Sequence, residues 1–149
     1  MFDVVIADHV LFYCENIPQV LAECRRVLKD EGRFLCSTYG KQHMWEITDL
    51  VQKFHKEIVL SAEVLYERFG LENGENLLAP YFPEIQMRRY EDAIEIAEAE
   101  PLISYILSCH GNQNQLLLNQ YKEFREFVSA RVADGFHITK DAGIFLCRK

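Results

Sequence analysis

The chain has 149 residues, 49% of them hydrophobic and 26% charged, which is enough apolar side chain for a real core in a single domain over 1–149 and too much for a disordered segment. Sixteen Lys and Arg against 23 Asp and Glu leave a net charge of −7, the wrong sign for a general nucleic-acid binder, which needs clustered cations. The longest apolar runs, such as Val4–Ala7 and Leu116–Leu118, fall far short of the ~20 residues that cross a bilayer, and no charged-then-apolar leader precedes them, so a soluble, cytoplasmic protein without a membrane partner is expected.

Phe2–Ala7 (F-D-V-V-I-A) is β-branched and apolar without alternation, the pattern of a strand buried on both faces of a parallel sheet. Ile17, Val20, Leu21, Cys24, Val27 and Leu28 then recur at helical spacing, with Asn16 as N-cap and Gly32 placed to end the helix. Arg33–Tyr39 reads as a second buried strand closed by Gly40, completing a βαβ unit. Further on, Met44, Ile47, Val51, Phe54 and Ile58 mark an amphipathic helix, Leu65 and Phe69 a short one, and Glu75–Phe82 another, capped by Asn73 and stopped by Pro83. Ile85–Tyr90 alternates as an edge strand does.

Five acids and no base lie within Glu91–Glu100, the composition of a solvated helix face. Pro101 begins a helix carrying Leu102, Tyr105, Ile106 and Cys109, and a longer one carries Leu117, Tyr121, Phe124, Val128 and Val132. Phe136–Thr139 and Gly143–Cys147, joined by Lys140–Ala142, read as a closing β-hairpin.

Ligands of open parallel sheets bind at the carboxyl ends of the strands. Two such ends occur here, Ala7–Tyr13 and Ser37–Gly40, the latter followed by Gln42–Met44. His9 is a weak catalytic candidate as proton acceptor or substrate contact, since imidazole titrates near physiological pH; the alternative is a loop histidine bonded to backbone. His43, Tyr13 and Tyr39 serve either packing or binding, and His55, His110 and His137 have no partner spacing. Cys14, Cys24, Cys36, Cys109 and Cys147 are odd in number and scattered, with no C-x-x-C and no metal-type spacing, so reduced thiols and no metal site are expected. No H-E-x-x-H, G-x-S-x-G, Walker or EF-hand pattern occurs, and the seven glycines never form G-x-G.

Three stretches, F-D-V-V-I-A-D-H-V-L-F-Y (Phe2–Tyr13), L-A-E-C-R-R-V-L-K-D-E-G-R-F (Leu21–Phe34) and T-Y-G-K-Q-H-M (Thr38–Met44), resemble the fourth strand, fourth helix and fifth strand of class I S-adenosylmethionine-dependent methyltransferases. The usual Pro-Gly before the turn glycine is here Asp30–Glu31. Later segments, among them F-G-L-E-N-G and G-I-F-L-C-R-K, sit where that family has its substrate-side helices and last strands. The resemblance implies an α/β fold: an incomplete Rossmann-like sheet of about four strands in the order 4-5-7-6, last strand antiparallel, helices on its faces. It implies S-adenosylmethionine as cofactor, with Ala7, Asp8 and His9 passing beneath the donor. Val10, Phe12, Tyr13, Tyr39, His43 and Met44 would face a small-molecule acceptor.

That family's glycine-rich donor turn and ribose-binding acid belong to its first two strands, which these residues do not include. The resemblance therefore implies the C-terminal half of a methyltransferase, inactive as this chain alone. An uncovered first strand is a template for pairing, so a homodimer or a complementing N-terminal half is expected. The alternative is a non-enzymatic remnant serving as a dimerisation or ligand-binding module.

Overall fold

A computed structural model describes residues 1–149 and divides into two compact units. The first comprises Met1–His43, Leu65–Glu91 and Asp141–Lys149, the second Met44–Val64 and Asp92–Lys140. No helix is long and apolar enough to cross a membrane.

The chain forms one four-stranded mixed sheet in the order β1-β2-β4-β3, with β1 at Phe2–Asp8, β2 at Leu28–Tyr39, β3 at Glu84–Ile96 and β4 at Phe136–Arg148. β1 and β2 run parallel and β4 antiparallel to β2, which is the expected 4-5-7-6 order with its reversed last strand. The crossover between β1 and β2 passes through a one-turn helix at Leu11–Tyr13 and α1 at Ile17–Val27. Asn16 caps α1, its side chain accepting from the Gln19 N–H at 3.0 Å, and Pro18 stands in the first turn, where a missing N–H costs nothing.

Helix α1 ends at Val27, one residue before its apolar spacing runs out and well short of Gly32. Leu28 is already extended and pairs with Phe2. The register then slips, Phe2 to Val4 spanning the same rise as Leu28 to Arg33, so Lys29–Gly32 are taken up as a bulge. Gly32 sits in that bulge and ends no helix. A Cβ there would lie 2.8 Å from the Lys29 carbonyl oxygen and 2.9 Å from Leu28 Cδ2, so only glycine fits the fold-back.

Three further readings are corrected. β1 is not buried on both faces: Val4 is 47% and Ile6 68% exposed, while only Ala7 is buried and Val5 half-buried on the other side. Most of the acid run is not a helix, since β3 carries on through Glu91, Asp92 and Glu95 and only its end, Ala99 and Glu100, is helical; both conformations leave charges in water, so composition did not separate them. The closing segment is no hairpin but a continuous strand, because Lys140–Ala142, which resembled a turn, runs on within it, and Ala142 pairs with Tyr39 and Gly143 with Thr38.

In the first unit, α1, α3 (Leu65–Arg68) and α4 (Gly74–Leu78) accompany a core of Leu21, Leu28, Phe34, Cys36, Phe69, Leu78, Phe82, Phe145 and Cys147. Phe34 stacks on Phe82 at 5.2 Å and Phe69 meets Phe145 edge-on. Phe34, Cys36, Phe145 and Cys147 alternate along β2 and β4, so they share one face of the sheet.

The second unit is mainly helical: α2 (Trp45–Phe54), α5 (Ala99–Ser108), α6 (Gln113–Leu117) and α7 (Tyr121–Val132). Its core holds Ile47, Val51, Leu102, Ile106, Phe124, Val128 and Ile138. The long helix expected around Leu117–Val132 is broken into α6 and α7.

Candidate functional site

The carboxyl ends of β1 and β2 lie side by side, Asp8 opposite Ser37. Ser37 organises the turn leaving β1: its hydroxyl donates to the Asp8 carboxylate and accepts the His9 N–H at 3.1 Å. This holds His9 at φ 48, the left-handed region that a non-glycine residue enters only at a cost. The reward is directional. The His9 ring lies nearly parallel to Tyr39 (centroids 6.3 Å, 16°) and edge-on to Phe12 (6.3 Å, 64°).

Phe12 is 2% exposed and packs under this row, 5.4 Å from Tyr39 and 4.7 Å from Tyr13. Tyr39 in turn meets His43 at 5.1 Å. Five of the anticipated residues, His9, Phe12, Tyr13, Tyr39 and His43, thus form one aromatic wall. Ala7 is buried beneath it, Asp8 engages Ser37, and Val10 is 43% exposed. Met44 belongs to the second unit. There it adopts φ 57, its N–H donates to the Thr139 carbonyl at 2.8 Å, and its sulfur accepts from Tyr105 Oη at 3.5 Å.

The His43 imidazole is oriented by backbone. Its Nδ1 accepts the Asp141 N–H at 3.2 Å, so the neutral ring carries its proton on Nε2. Asp141 is itself fixed: its carbonyl accepts the Gly40 N–H at 2.9 Å, and its carboxylate, 8% exposed, lies 2.8 Å from Arg89 Nε. That contact is off hydrogen-bond alignment, leaving Oδ1 without a hydrogen-bond donor, so it acts chiefly as charge pairing; Arg89 Nη2 donates to the other oxygen at 3.4 Å.

Arg89 also pairs with Glu72 at 3.1 Å, and Glu72 accepts the Lys41 N–H at 3.1 Å. Gly40 lets this group close over the turn. A Cβ there would lie 2.3 Å from Asp141 Oδ2 and 2.8 Å from Glu72 Oε1.

Ser37 lies in a strand end anticipated from sequence, though not in this role, whereas Glu72, Arg89 and Asp141 were not anticipated. Arg89 is 17 residues from Glu72 and 52 from Asp141, and their only local sign was the isolated glycine after a strand. His110 forms a bridge with Ser61, and His137 contacts the Glu95 carboxylate. No group of three or more His, Cys, Asp or Glu side chains is arranged to hold a metal ion.

Residues 1–36 match the methyltransferase domain family. A biotin biosynthesis bifunctional protein, BioHC, of Saccharophagus degradans is 35% identical over 48 residues, 32% of this chain and 9% of that protein. Among solved structures, a candidate methyltransferase of Bacillus halodurans is similar over 99% of this chain and 64% of its own, at 12% identity and a TM-score of 0.54. The YcgJ protein of Bacillus subtilis gives the same coverage and identity at 0.50. The chain therefore spans less than two thirds of the length of these solved relatives. The sequence likeness to the methyltransferase domain family is thus confined to the start of the chain, and over the remainder the likeness is one of fold.

Proposed function

We propose that this chain forms the acceptor side of a methyltransferase acting on a small, partly apolar molecule, and that alone it neither holds the methyl donor nor turns over. The observation that carries the reading is the convergence of His9, Phe12, Tyr39 and His43 at the carboxyl ends of two parallel strands, where open α/β sheets take their ligands. Flat rings give a partly apolar acceptor a surface to lie on, and an imidazole at the mouth gives it a polar handle.

The donor is not matched by what this chain offers. Its carboxylate and ribose need clustered N–H donors and an acid, but the His9 N–H is spent on Ser37 and the Asp8 carboxylate is engaged there too. Each missing charge-assisted contact is worth about 1.5–3 kcal/mol, so several together move a micromolar ligand to beyond roughly millimolar affinity. Ala7, Asp8 and His9 are then a floor beneath the donor, and the rest of its cradle comes from elsewhere.

The test is transfer of a labelled methyl group from S-adenosylmethionine to a panel of small amines, phenols and carboxylic acids. The chain alone should transfer none. A complex with a polypeptide carrying a glycine-rich strand-turn should transfer label, and Tyr39→Ala or His43→Ala should reduce that transfer. Turnover by the chain alone would overturn the reading.

A second reading, a non-enzymatic binding or dimerisation module, is favoured by the free edge of β1, which ends the sheet with unpaired backbone groups. Sedimentation separates the two. Stable self-pairing that persists when a glycine-rich partner is added favours the module.

A further inference from the structure

Strand β3 ends the sheet and is 13 residues long, about twice the usual strand. No strand lies beyond its outer row of N–H and C=O groups, and all its residues but Ile85 and Ile96 are exposed, Tyr90 to 67%. It contains neither proline nor lysine, two of the devices that usually blunt such an edge. It lies at the opposite end of the sheet from β1, beside which the strands that the implied 4-5-7-6 order lacks would stand.

We infer that β3 pairs antiparallel with β3 of a second copy, about a two-fold axis at Tyr90, joining two four-stranded sheets edge to edge. The charge pattern argues for this occupant. In an antiparallel ladder two opposed residues either both turn their N–H and C=O toward the partner or both turn them away. A two-fold pairing must therefore set one residue against its own copy. Centred on Arg88 or Arg89 it opposes two arginines, and centred on Glu91 or Asp92 two acids.

Tyr90 is the midpoint of Glu84–Ile96, so the register centred there also uses the whole strand. It sets Arg88 across from Asp92 and Arg89 across from Glu91, each twice by symmetry, while Glu84 meets Ile96 and Glu95 meets Ile85. No like charges face each other anywhere along it. An edge that is to stay single carries charges that repel its own copy; these attract it. Backbone hydrogen bonds supply the affinity of such strand addition, and the exposed ion pairs, each worth little alone, fix the register. Arg89 is also held by Asp141 and Glu72, so Arg88 and Asp92 are the pair to vary. None of this depends on methyl transfer or on the edge of β1.

The test is sedimentation equilibrium of the full chain at micromolar concentration, where a dimer is expected. Arg88→Asp and Asp92→Arg should each raise the dissociation constant about ten-fold or more, because each sets two like-charged pairs across the axis. The two changes combined should restore it, with circular dichroism confirming the fold throughout. A short bismaleimide should cross-link Tyr90→Cys into dimers beyond the wild-type background, but not Gln86→Cys, which would stand roughly 27 Å from its own copy at ~3.4 Å per residue. A monomer, a dimer indifferent to both single changes, a combined variant no tighter than either, or equal cross-linking at residues 86 and 90 would overturn the inference.

Discussion

The two faces of the first unit's sheet are made from alternate residues of the same strands, yet they differ sharply. On one side Phe34, Cys36 and Phe145 are fully buried; on the other Val4 and Ile6 stand 47% and 68% exposed. β-branched strand residues without alternation predict cover on both sides, and the structure supplies it on one. Sequence pattern reports the environment for which a strand is suited, whereas burial reports the contacts this chain supplies by itself.

The largest expected difference follows directly. Phe34→Ala removes a fully buried ring stacked on Phe82 and should cost about 3–5 kcal/mol. Ile6→Ala on the open face should cost under about 1 kcal/mol, since most of its transfer energy was never gained. Urea unfolding of both variants checks this, and equal losses would erase the contrast.

Next in size is Asp141→Asn, which leaves Arg89 with Glu72 alone. Arg89 is 36% exposed, so water softens the loss, and we expect about 1–3 kcal/mol in the same assay.

The outcome bears on how far the chain could be read in advance. β1, α1 and the ends of β1 and β2 were legible, because an apolar run, a capped amphipathic period and a strand-terminal glycine are local signals. His9, Tyr39 and His43 followed from those ends. Asp141 was not legible: beside Lys140 it resembled a turn, and only Arg89, 52 residues away, allows a carboxylate inside a continuous strand. The open face was equally hidden, since the same side chains are written whether or not a helix lies over them.

A smaller effect belongs to the second unit. Burial raises the Glu46 carboxyl, but the hydroxyl and N–H of Thr139 both donate to it and hold it below its ordinary value of 4.5. A carboxyl lowered by folding adds stability above its unfolded pKa and loses it as pH falls through the folded one. Stability should therefore decline as pH falls below about 4.5, and Glu46→Gln should flatten that decline in thermal melts. An unchanged acid limb would remove Glu46 from the account.

The smallest effect is kinetic. Burial pushes the Cys147 thiol up to about 12 and raises Cys36 further in the same direction. Both should stay protonated at mild alkaline pH and resist iodoacetamide until the unit opens, because only the thiolate reacts. Labelling on the covered face then reports opening of the sheet, and rapid native labelling of Cys36 would contradict its burial.

The most direct test of an acceptor wall without its donor cradle is calorimetric titration of the chain with S-adenosylmethionine. No saturable heat below about millimolar ligand is expected; a submillimolar dissociation constant would contradict it.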